Sequence, residues 1–96
     1  MSEVADILNR AADLIEPEGA WCQGSGTKVT GGQVALCALI AISRASGSGP
    51  SMWTACGSFA EFCGGPISEW QDAPERTQAE VVAALRAAAQ SVDGAS

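Results

Sequence analysis

The sequence predicts a mainly α fold, a compact bundle of about four helices around one core, with a small Gly-rich β-hairpin or loop inserted after helix 1. Three observations carry that expectation. Apolar residues recur at spacings of three and four in separate stretches bounded by Gly, Pro and capping residues. The 47% of hydrophobic residues includes many alanines while aromatics make up 5% and Tyr is absent, a composition that favours close helix packing over a β-sandwich. With 96 residues, one core can form and two cannot, so residues 1–96 are read as a single domain with an ordered core from about 3 to 92.

Residues 3–16 read as an amphipathic helix, with Ser2 as N-cap and the Glu16-Pro17 junction as its stop. At about 100° per residue, Val4, Ile7, Leu8, Ala11, Leu14 and Ile15 share an arc of about 120°, with Glu3, Asp6, Arg10, Asp13 and Glu16 opposite. Residues 17–33 are punctuated by Pro17, Gly19, Gly24, Gly26, Gly31 and Gly32, which leaves Trp21-Cys22-Gln23 and Thr27 to Thr30 as short extended pieces of a hairpin or loop. Val34 to about Ser46 is apolar nearly all round and reads as a second, central helix closed by Gly47, with Ser46-Gly47-Ser48-Gly49 as a flexible joint.

Pro50 suits the first turn of a third helix over 51–63, in which Met52, Cys56, Phe59 and Cys63 form the inner stripe and Gly64-Gly65-Pro66 ends the element. Ile67 to Asp72 reads as a short turn of helix carrying Trp70. Thr77 and Glu80 stand at capping-box spacing, so the terminal helix begins there and runs to about Ser91, its inner face made by Val81, Val82, Leu85, Ala88, Ala89 and Val92. The tail from Asp93 reads as frayed. Leu8, Leu39, Phe59 and Leu85 are expected to meet in the centre.

Eleven acidic residues against five basic ones leave a net charge of −6, which argues against nucleic-acid binding, since affinity for a phosphate backbone comes from Lys and Arg. The longest apolar run, Val34 to Ile42, is about half of the roughly 20 residues a membrane span needs, so no membrane association is expected. The start Met1-Ser2-Glu3 has no basic n-region, and Asp6, Asn9, Arg10 and Asp13 interrupt the apolar residues that follow. A cytoplasmic location is expected on that ground.

The chain has no His, which removes Ser-His, Cys-His and His-metal chemistry. Cys22, Cys37, Cys56 and Cys63 are separated by 15, 19 and 7 residues without a C-x₂₋₄-C knuckle, so reduced, buried thiols are expected rather than zinc ligands, and neither metal nor cofactor is implied. Cys37, near a helix start, reads as a small core residue rather than a nucleophile, because no general base accompanies it. The carboxylates Glu69, Asp72, Glu75 and Glu80 are better explained structurally than as an acid/base pair: Asp72 in the turn before Pro74, Glu80 in the capping box with Thr77, and Arg76 as a counter-charge. The glycines match no phosphate loop. No catalytic residue is identified, and the chain is expected not to be an enzyme.

Residues 1–18 hold Glu3, Asp6, Asp13, Glu16 and Glu18 against Arg10, four of the six net negative charges. Such a run reads first as a solvated face and second as a docking surface for a basic partner. Trp21, Trp53 and Trp70 pose a similar choice between core anchor and exposed hot spot, with Trp21, in the Gly-rich segment, expected to be the exposed one.

The segments 11–15, Gly19-Ala20-Trp21-Cys22-Gln23-Gly24, 36–42 and Trp70-Gln71-Asp72-Ala73-Pro74-Glu75-Arg76-Thr77 ahead of 80–85 together resemble a family of small domains of unknown function, numbered 6197, found in actinomycetes such as streptomycetes and mycobacteria and in their bacteriophages. The resemblance covers most of the chain and rests on a W-x-Q-G and a W-x-D-x-P-x-R-T element. Two positions depart from the family's pattern: Ile40 stands where a Gly follows the Cys-Ala-Leu, and Gln71 where an Asn commonly precedes the Asp. The resemblance implies a common fold and an actinobacterial or phage setting, but no activity.

Two functional expectations follow. The first is a non-enzymatic acidic protein that binds a host protein and modulates its activity, in the host cytoplasm if phage-encoded, using Asp6, Asp13, Glu16 and Trp21. The alternative is a small-molecule or nucleotide-signal binder in which Trp21 and Trp70 stack and Arg76 meets a phosphate. A homo-oligomer formed through Ala83 and Ala87 is a further possibility.

Overall fold

Seven elements follow one another in the order α1 (Glu3–Ile15), β1 (Thr27–Thr30), β2 (Gln33–Leu36), α2 (Ala38–Ser46), α3 (Ser51–Cys63), α4 (Ile67–Gln71) and α5 (Gln78–Gly94). The computed structural model describes residues 3–23, 27–30, 33–47 and 51–94, with backbone alone for 27–30, 33, 34, 93 and 94. Five helices and one hairpin thus make up the described residues, the mainly helical fold expected. The Ser2 cap, Gly24, Gly26, Gly31, Gly32, Ser48, Gly49 and Pro50 lie outside them.

The element around which the others gather is α1, which packs against α5, α2, α3 and β2. Its buried residues are Ala5, Ile7, Leu8, Ala11, Ala12 and Ile15. Being covered on several sides rotates the buried arc toward Ala5 and Ala12, and leaves Leu14, at the other edge of the predicted arc, 41% exposed. Alanines Ala38, Ala41, Ala55, Ala84, Ala88 and Ala89 face the same core, which lets helix axes approach closely. Phe59, Leu8 and Leu85 meet there as expected, but Leu39 is 42% exposed and does not.

The second helix is shorter than the sequence suggests. Gln33–Leu36 is a strand paired antiparallel with β1, in the register Thr27↔Leu36 to Thr30↔Gln33. Leu36 also donates its N–H to Ala20 O at 2.8 Å and accepts from Cys22 N–H at 3.1 Å, a parallel bridge beside Trp21. Those ladder bonds occupy the backbone groups that a helix from Val34 would have used. Cys37 is therefore the N-cap of α2, with extended backbone, and Gly47 closes the helix in the left-handed conformation (φ 69°), its N–H bonded to Ser43 O.

The end of α3 is a Schellman motif: Gly65 N–H reaches Ala60 O at 3.1 Å and Gly64 N–H reaches Glu61 O at 3.2 Å, with Gly64 at φ 83°. Both arms of the predicted capping box form at the start of α5, Glu80 N–H to Thr77 Oγ1 at 3.2 Å and Thr77 N–H to Glu80 Oε1 at 2.9 Å. That helix continues to Gly94, beyond the expected stop near Ser91. The radius of gyration, 12.3 Å, is close to the value of about 13 Å typical of a 100-residue domain.

Candidate functional site

Residues 21–23 and 70–77, from the two sequence elements that stand out, converge on one buried amide. Gln71, at the end of α4, is 2% exposed. Its Oε1 accepts from Trp21 Nε1–H at 3.0 Å and from the backbone N–H of Ala38, and its Nε2 donates to Asp72 Oδ1 at 2.8 Å. The Ala38 N–H is one of the donors that the first turn of α2 leaves without an intrahelical acceptor, so Gln71 caps that helix from 33 residues away. Gln23 Nε2 donates in turn to the carbonyls of Gln71 at 3.0 Å and Ala73 at 2.8 Å. The result is a polar seam that pins the 17–23 loop to α4. Among the described residues, no buried side-chain nitrogen or oxygen lacks a partner.

Beside the seam, Trp70 meets the Phe59 ring edge-on, with centroids 5.6 Å apart. The Arg76 guanidinium lies 4.0 Å over the Trp70 ring, its Nε–H donates to Trp70 O at 3.0 Å, and its Nη1 is 3.7 Å from Glu80. A turn with Pro74 at its second position brings Arg76 there, closed by Arg76 N–H to Ala73 O at 2.9 Å. Burial pushes the Cys63 thiol up to about 11, with the nearby Arg76 charge pulling the other way, and burial also raises Cys56. Both are protonated at neutral pH and so poor nucleophiles. All four cysteines are free; Cys37 is buried, while Cys22, Cys56 and Cys63 are only half-buried, less enclosed than expected.

The acidic end of α1 is answered from α5. Arg86 Nη2 donates to Asp13 Oδ1 at 2.8 Å and Glu16 Oε2 at 2.9 Å, and these bonds raise the arginine above its ordinary pKa. Two carboxylates at a helix C-terminus oppose the helix dipole, and Arg86 offsets them. Gln78 Nε2 reaches the carbonyls of Ile15, Glu16 and Pro17, the first of them one that the end of α1 leaves without an intrahelical donor. Asp13 and Glu16 are thus brought together at Arg86, Asp6 stands half-buried two turns earlier on α1, and Trp21 belongs to the separate seam. Of the stacking set, Trp70 and Arg76 touch, and Trp21 bonds the residue next to Trp70.

The exposed tryptophan is not Trp21, which is half-buried and hydrogen-bonded, but Trp53, 75% exposed on α3. The outer face of that helix carries Trp53, Thr54, Gly57, Glu61 and Phe62, the last 47% exposed, and the helix has no Lys or Arg. Next to Phe62 an open groove of about 420 Å³ runs between α3 and α5, lined also by Ser58, Glu61, Ala88, Ser91 and Val92. Sequence reasoning missed Trp53 as an exposed residue and Gln71 as a buried one. The signal for Trp53 was available, because it lies about a quarter-turn off the centre of the Met52, Cys56, Phe59 and Cys63 stripe. Gln71 had no local signal.

Among the described residues, no group of three or more His, Cys, Asp or Glu is placed to hold a metal ion, and no helix is long and apolar enough to cross a membrane. No curated protein and no solved structure matches the chain. A family model does match, over residues 1–91, and its span takes in both elements of the seam and all of the outer face of α3. The chain therefore belongs to the Family of unknown function (DUF6197).

Proposed function

We propose that the chain is a non-enzymatic binding protein that acts by docking on another protein, and that the docking face is the outer side of α3. In the actinobacterial or phage setting that the family resemblance implies, that partner is a host protein whose activity is modulated by the contact. The observation that carries the reading is Trp53, 75% exposed on a helix that buries Phe59 fully and leaves Phe62 47% exposed. Tryptophan is among the side chains most often found as a binding hot spot, and exposure of one this large is not needed for folding.

Gly57 supports the same reading. It lies one turn from Trp53 on the same side of α3, in helical conformation, where a Cβ would meet nothing within 4 Å. A glycine in mid-helix costs about 1 kcal/mol relative to alanine, and no contact among the described residues explains it. A partner whose backbone approaches closely beside the tryptophan would. The net charge of −6 favours a basic partner.

Affinity capture from a mycobacterial lysate at low salt tests the proposal, with Trp53→Ser and the charge-reversed pair Asp6→Lys and Asp13→Lys run in parallel. A specific partner lost with Trp53→Ser supports docking through α3. A partner lost only with the α1 pair moves the face to α1, and no specific partner from any arm removes the proposal.

A further inference from the structure

The four arginines of this acidic chain are not used alike. Arg86 is held by Asp13 and Glu16, and Arg76 is stacked on Trp70 near Glu80. Arg10 on α1 and Arg44 in the last turn of α2 are both exposed, and among the described residues neither comes within ion-pair distance of a carboxylate. Asp6 precedes Arg10 by one helical turn, the spacing of a favourable pair, yet Arg10 turns toward α2 and donates from Nη1 to Ala45 O at 3.4 Å.

Both arginines line one open groove between α1 and α2, with a volume of about 330 Å³, completed by Asp13, Leu14 and Ala45. Two guanidinium groups sharing a groove repel each other unless an anion lies between them, and the acid in the same wall, Asp13, is already bonded to Arg86 at 2.8 Å. Arg10 spends one of its five N–H donors on Ala45 O, and the others remain for an anion's oxygens. Leu14, 41% exposed where the periodicity of α1 placed it inside, supplies an apolar wall to the same groove.

We infer that the α1/α2 groove is a binding site for a small anion carried on an aliphatic chain, a carboxylate or phosphate ester, with Arg10 and Arg44 clamping the charge and Leu14 with Ala45 receiving the chain. Its volume is at the lower end of small-ligand sites, which fits a headgroup and a few methylenes. The site is separate from the outer face of α3 and stands or falls independently of it.

Titration of ¹⁵N-labelled protein with hexyl phosphate and hexanoate tests it, with inorganic phosphate as the arm without a chain and hexanol as the arm without a charge. The expected result is a dissociation constant of about 1 mM or tighter for one or both amphiphiles. Chemical-shift changes should centre on Arg10, Leu14, Arg44 and Ala45. Arg44→Gln, which leaves the Arg10–Ala45 bond in place, weakens binding about tenfold, and Arg44→Lys restores part of it. Preference for hexyl phosphate or for hexanoate names the source of the anion. Absence of shifts, equal binding by the Arg10→Gln/Arg44→Gln protein with its helical circular dichroism intact, or shifts centred on Arg76 and Trp70 overturns the inference. Binding of inorganic phosphate as tight as that of hexyl phosphate overturns the role of Leu14 and Ala45.

Discussion

Trp21 and Trp53 stand on opposite terms with the rest of the chain. The Trp21 indole gives its N–H to a buried glutamine, and the amide that receives it also caps α2 and bonds Asp72, so removing any one member strands another. Trp53 has most of its surface in water, beside a glycine with open space where a side chain would stand. The seam turns its polar groups onto one another, whereas the outer face of α3 holds an indole and a phenyl ring out to solvent. The contrast separates groups that fold the chain from groups that folding leaves unused, and each change below shifts one region while sparing the other.

The largest effect is expected at the centre of the seam. Gln71→Leu keeps the approximate volume but leaves the buried Ala38 N–H and the half-buried Trp21 Nε1–H without their acceptor. Each buried donor left unpaired costs about 1–3 kcal/mol, so the variant should lose about 2–4 kcal/mol, a large part of the stability of a small domain. Urea unfolding measures it, and a loss under 1 kcal/mol would mean that the seam is wetter than its burial indicates. Gln71→Asn, whose amide is one methylene short of both donors, should fall between the two.

Gly57→Ala has the opposite sign. Filling an exposed helical position with alanine should stabilise the free protein by about 0.5–1 kcal/mol, because among the described residues no atom stands in the way. If the notch serves a partner, the same substitution weakens docking. A change that raises the melting temperature while lowering affinity separates a binding role from a folding role. Loss of stability would show that Gly57 answers a constraint inside the chain.

How much of this contrast could be read from the sequence depends on the reach of each interaction. The α5 capping box spans three residues and its partners were identifiable on sight, as was the left-handed closure of α2 at Gly47. The sequence places Val34 to Leu36 of β2 in a helix because a short apolar run has no periodicity to tell the two apart, and the strand's pairing is decided by β1 and by Ala20 and Cys22 farther up the chain. Gln71 draws its meaning from groups 33 and 50 residues away, which no local pattern contains. The acidic run at the end of α1 was visible, but Arg86, the group that answers it, lies 70 and 73 residues further on.

Arg86→Ala probes that last pairing and should have a small effect. The bonds to Asp13 and Glu16 are solvent-exposed, and exposed ion pairs contribute about 0.2–1 kcal/mol each. A loss of about 0.5–1 kcal/mol at low salt, shrinking in 1 M NaCl, is expected from thermal unfolding followed by circular dichroism. A loss that salt does not reduce would assign Arg86 a packing role instead.

The smallest effect on folding is expected from Trp53→Ser, and there the comparison between the two tryptophans is sharpest. With three-quarters of its surface already in water, Trp53 has little burial to lose, and serine replaces it outside the inner stripe of α3. Stability should change by no more than about 0.5 kcal/mol, while Trp21→Ser, which removes the donor to Gln71 and a ring packed on the core, should cost several times more. Intrinsic fluorescence gives an independent reading: the native spectrum should lose its most red-shifted, most readily quenched component with Trp53→Ser, and acrylamide quenching of the remaining two indoles should fall. If quenching is unchanged, Trp53 is covered in solution, and since nothing among the described residues covers it, a second molecule is the cover to test first. That outcome would move the α3 face from a surface awaiting a partner to one already engaged by a copy of itself, and sedimentation over a range of protein concentrations would distinguish the two.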